Sequence, residues 1–135
     1  MSAALTASIG KGLKMSYELS WHIPDKVLLL RLDGDYTVED AKRVNESVTQ
    51  ILDHSSTSLM LLIDARTMNR SYAFQQIRSA QSFVDHIRLK QAAVVTNDQI
   101  VKLAMLVIFG WGRCNLTLFA TIEHASAFFQ RNFPA

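Results

Sequence analysis

The chain has 135 residues, of which 49% are hydrophobic and 19% charged, with a formal net charge of +2. That length suits one domain with a core of its own, and the composition excludes a disordered chain. Its Lys and Arg residues are scattered without a run, which argues against a nucleic-acid binder with a concentrated basic patch.

The first stretch, MSAALTASIGKGLKMS, is small and polar and contains no apolar block long enough for a secretory signal. Residues 1–16 read as a flexible tail ahead of a domain spanning 17–135. From Tyr17 the alternation of Tyr17, Leu19 and Trp21 with polar partners predicts a half-buried strand. Pro24 and Asp25 supply a turn. KVLLLRL returns as a second strand, completing an antiparallel hairpin that Gly34 ends.

Thr37 then has the chemistry of a helix N-cap, with Asp40 three residues on forming a capping box. Ala41, Val44, Val48, Ile51 and Leu52 share one helical face, and Glu39 and Arg43 are spaced for an exposed i,i+4 pair. HSSTS ends that helix. LMLLI is apolar without alternation, as expected of a strand covered on both faces, and it runs into Asp64 and a polar loop. Ala73, Ile77, Ala80, Val84 and Ile87 step at helical spacing. QAAVV is the next strand. Asn97 or Asp98 caps the helix QIVKLAMLVIF, CNLTLFA is the last strand, and Thr121 caps a final helix bearing Ile122, Ala125, Phe128 or Phe129, and Phe133. The order β-β-α-β-α-β-α-β-α predicts an α/β fold. Its sheet is five-stranded and mainly parallel, with an antiparallel edge strand and helices packed on it.

One cysteine, Cys114, rules out an internal disulfide and fits a cytoplasmic protein. His22, His54, His86 and His124 lie far apart without metal-ligand spacing, so neither a metal nor a cofactor is expected. Asp64 is the best candidate for a catalytic carboxylate, because ligands gather at the carboxyl ends of strands in open α/β sheets. Asp33, Asp35 and Asp98 also follow strands. Yet loops of this class use aspartate for turns and caps in any case, and no serine–histidine arrangement or glycine-rich phosphate loop accompanies them.

The third helix is more informative. Between Ile100 and Phe109 only Lys102 is polar, whereas a helix covering one sheet needs a single apolar stripe. The segment is too short to span a membrane, which takes about 20 residues. Three explanations stand: the helix is wholly covered by its own chain; it forms a homodimer or other protein interface through Ile100, Leu103, Leu106, Val107, Phe109 and Trp111; or it lines a pocket for an apolar ligand, with Met105 and Trp111 as adaptable walls.

VLLLRLDGDYTVEDAKRV, LMLLIDARTM, QAAVVTND and LTLFATIEHASAFF, in that order, resemble the STAS family, especially its SpoIIAA-like, anti-sigma factor antagonist-like branch. The resemblance runs from about Tyr17 to Phe133. It implies an α/β sandwich without catalysis that acts as a regulatory, protein-interacting module. A general architecture shared with Sec14-type lipid-binding domains keeps a lipid or other apolar ligand as the alternative. Phospho-switching members carry a serine at the start of the second helix in a D-S-S-G-like motif. Here the loop reads TMNRSYAF. Ser71 is its only serine, the motif's aspartate, second serine and glycine are missing, and Ser71 or Asn69 serves equally as a cap. The loop rim of Asp64, Arg66 and Arg70 completes the expected working surface.

Overall fold

The structure, a computed structural model, describes residues 16–70, 73–109 and 114–132. The expectations placed on residues 1–15, Ser71, Trp111 and Phe133 lie outside them. Strand β1 (Tyr17–Ile23) pairs antiparallel with β2 (Val27–Gly34), from Tyr17↔Leu32 to Ile23↔Val27, with a register shift between Trp21 and Ile23. The hairpin turns where the Lys26 amide donates to the Ile23 carbonyl at 3.0 Å. Asp25 takes a φ of 63° there, a left-handed conformation that a short polar side chain tolerates better than most.

The chain continues through α1 (Val38–His54), β3 (Leu59–Met68), α2 (Phe74–Ala80), a 3-10 turn (Ser82–Asp85), β4 (Leu89–Val95), α3 (Gln99–Phe109), β5 (Asn115–Phe119) and α4 (Ile122–Asn132). The sheet order is β1-β2-β3-β4-β5, with β2 to β5 parallel. Because each parallel strand is laid beside the previous one, right-handed crossovers bring every connecting helix to the same face. Helices α1, α2 and α3 therefore share one core with Leu28, Leu30, Leu61, Ile63 and Val94. Helix α4, the last element among the described residues, folds onto the other face, where Ala125 and Phe129 pack with Val27, Met60, Leu62, Ala93 and Val95. Strand β3 thus supplies Leu59, Leu61 and Ile63 to one core and Met60 and Leu62 to the other, which is why its sequence shows no alternation.

The Thr37 capping box is present: the Asp40 amide donates to Thr37 Oγ1 and the Thr37 amide to Asp40 Oδ2, both at 3.1 Å. Three local expectations are corrected. Arg43 pairs with Asp40 at 3.5 Å, not with Glu39, because the capping box holds the Asp40 carboxylate one turn below it. Strand β3 does not end at Asp64 but runs on through Arg66 to Met68, because β2 is long enough to pair Asp33 with Thr67 and Gly34 with Met68. The helical spacing from Ala73 to Ile87 is broken at Gln81, whose backbone leaves the helical region (φ −110°, ψ 62°) and whose buried side chain accepts a 2.7 Å bond from the Tyr36 hydroxyl. Ile77 and Val84 still reach the core, while Ile87 is left 70% exposed.

Candidate functional site: the outer face of α3

Helix α3 is fixed at its start by Asp98. One carboxylate oxygen accepts from the Ile100 and Val101 amides at 2.8 and 3.2 Å, satisfying donors that the first helical turn leaves free. Arg70, just past β3, donates from Nε to the same carboxylate at 2.9 Å. This bond, with the backbone donors, holds the Asp98 carboxyl below the usual carboxylate range.

That anchor sets the rotation of everything that follows. Val101, Ala104, Met105, Ile108 and Phe109 face inward and are buried. Phe109 lies 6.2 Å from Phe83, ring centre to ring centre, and is only 1% exposed. It belongs to the core, which removes it from the surface expected of it. Met105, anticipated as an adaptable pocket wall, is likewise in the solid core. On the other side Leu103 is 56% and Leu106 43% exposed, flanked by half-buried Ile100 and Val107. These four residues follow the i, i+3, i+6, i+7 spacing of one helical face. The helix leads to β5, an edge strand of sequence NLTLF whose Leu116 and Leu118 pack on the core that holds α3.

The expected rim does not assemble. Asp64 and Arg66 lie within β3 on the α4 side of the sheet and are bound to each other. Arg66 donates from Nε and from a terminal nitrogen to the two carboxylate oxygens, both at 2.9 Å. Burial pushes the Asp64 carboxyl up, but those bonds, the Arg66 amide and nearby Arg31 outweigh it and hold the group below its usual range. At 8% exposure, and fully engaged, Asp64 is a charged structural partner and not a base poised to take a proton. Arg70 is paired away with Asp98. Among the described residues no group of three or more His, Cys, Asp or Glu side chains is placed to hold a metal, and no helix is long and apolar enough to cross a membrane.

Sequence reasoning did not identify a cleft of about 460 Å³ between the start of α1 and the segment after β3, lined by Asp35, Thr37, Glu39, Asn69 and Arg70 among others. The Asn69 amide group donates to Asp35 across it at 2.9 Å. Two polar residues just beyond adjacent parallel strands were the available signal.

A family model described as SpoIIAA-like matches residues 27–130. Among solved structures, an uncharacterized protein with a SpoIIAA-like fold from Shewanella loihica PV-4 superposes with a TM-score of 0.62 at 15% identity. The alignment covers 88% of this chain and 98% of that one, a likeness of fold. No curated protein matches the sequence.

Proposed function

The chain belongs to the SpoIIAA-like family, and from that premise we propose that it is a non-enzymatic interaction module working through Ile100, Leu103, Leu106 and Val107 on the outer face of α3. The observation that carries this reading is the pair of half-exposed leucines on a helix whose inner face is already fully packed. Two large apolar side chains in one stripe lose hydration cost when a partner covers them, at about 25 cal/mol per Å² before ordering costs. The partner that fits is a second copy of the chain. Lys102 is the only charge on α3, so a two-fold axis brings little like charge together at this face.

Sedimentation velocity of the wild type and of Leu106→Asp tests the reading. The wild type sediments as a dimer of the 15.2 kDa chain and the variant as a folded monomer. A wild type that stays monomeric at high concentration contradicts the dimer. A variant that still dimerises moves the interface away from α3.

A further inference from the structure

Strand β5 ends the sheet, and the two ends of this sheet are built differently. Edge strand β1 carries devices that discourage pairing with another chain: Glu18, a register shift between Trp21 and Ile23, and Pro24 immediately after it. Strand β5 carries none of these. It has no charge, no proline and an unbroken register from Gln91↔Asn115 to Val95↔Phe119.

The backbone parity of β5 can be read from one bond. The Thr96 amide donates to the Phe119 carbonyl at 3.1 Å, so Phe119 faces β4. Backbone groups alternate in direction along a strand, so Thr117 also faces β4, whereas the N–H and C=O groups of Leu116 and Leu118 point away from the sheet. No described residue pairs with them. Area argues in the same direction. A stable interface covers about 800 Å² on each partner, and two half-exposed leucines supply only a fraction of that. The adjoining surface of α3 that adds backbone hydrogen bonding as well as area is the β5 edge.

We infer that two copies of this chain join β5 to β5, antiparallel about a two-fold axis at Thr117, making one sheet continuous across both protomers with the outer faces of α3 brought together. In this register Leu116 and the partner's Leu118 form a hydrogen-bonded pair, exchanging both N–H···O bonds, and the symmetric pair does the same. Thr117 meets its own copy as the close, non-hydrogen-bonded pair at the axis. Helix α3 and the side chains of Leu116 and Leu118 lie on the same face of the sheet, so pairing at this edge places the α3 helices of both copies on one side of the joined sheet. The inference rests on the reading of α3 as an interaction surface and specifies how that surface is completed.

Cysteine cross-linking tests the register. A non-hydrogen-bonded pair brings Cα atoms to about 4.5 Å, within disulfide reach. Asn115 and its copy would stand about 13 Å apart along the strands, beyond it. In a Cys114→Ala background, Thr117→Cys is expected to become a covalent dimer under mild oxidation while Asn115→Cys remains single chains on non-reducing gels, with circular dichroism confirming that both fold. If Thr117→Cys fails to cross-link although the wild type sediments as a dimer that Leu106→Asp dissolves, the strand pairing is overturned and the α3 reading stands. If Thr117→Cys cross-links and Leu106→Asp still dimerises, the strand pairing stands and the α3 reading falls. Equal cross-linking of Asn115→Cys overturns the register.

Discussion

Helices α1 and α3 both cover the same face of the sheet, and they spend their residues differently. Helix α1 buries Ala41, Val44, Val48 and Leu52 along one stripe and turns charged and polar side chains to solvent. Helix α3 is shorter, buries five residues, and still carries Leu103 and Leu106 on its solvent side. In α1 hydrophobicity and burial coincide, so its sequence is accounted for by folding. In α3 they do not, and the excess is the surface on which the proposed association rests. The contrast separates residues that hold the protomer together from residues that a protomer alone does not use.

Substitutions on the two helices should therefore break different properties. The largest effect on protomer stability is expected from Leu52→Ala in α1, which empties a fully buried site and should cost about 2–5 kcal/mol in urea unfolding. The helix starts come next. Thr37→Ala in α1 and Asp98→Ala in α3 should each cost about 0.5–2 kcal/mol, because each removes a side chain that accepts backbone donors of the first turn. The outer face of α3 should give the smallest effect. Leu103→Asp is expected to shift protomer stability by no more than about 0.5 kcal/mol when measured at high dilution, while weakening association. A Leu103→Asp variant as unstable as Leu52→Ala would erase the distinction between the two helices.

The Asp64–Arg66 pair sharpens the comparison from a third place, the α4 face, by its response to acid. The folded protein holds the Asp64 carboxyl below its ordinary range. Its contribution to stability is therefore present above the unfolded carboxylate value of about 3.9 and is lost as pH falls through the lower folded value. Removing the guanidinium in Arg66→Ala leaves burial to dominate. The Asp64 carboxyl should rise, and acid unfolding followed by circular dichroism should begin at higher pH than in the wild type. An unchanged acid midpoint would show that the pair contributes nothing to the pH dependence.

Most of the architecture was legible in the sequence because its signals are local: caps at Thr37, Asp98 and Thr121, a turn at Pro24–Asp25, and apolar periodicity between them. What was not legible depends on partners distant in the chain. The end of β3 is set by the length of β2, so Asp64 looked like a strand tip when it lies inside the ladder. The break after α2 coincides with Gln81, bonded to Tyr36 in the loop between β2 and α1. For α3, composition showed an apolar surplus, but which residues formed it depended on the helix's rotation. Phe109 joined the core against Phe83, leaving Leu103 and Leu106 outside. The candidate surface was thus readable as a segment, and its membership only from packing.

The melting temperature as a function of protein concentration tests the central claim most directly, since association with a second copy stabilises the folded state by mass action. The wild type is predicted to melt at rising temperature as concentration increases, and Leu106→Asp to melt at one temperature throughout, equal to the dilute limit of the wild type. A concentration-independent wild type, or a Leu106→Asp protein unfolded at every concentration, would contradict the claim that α3 carries apolar surface that the protomer does not need for itself.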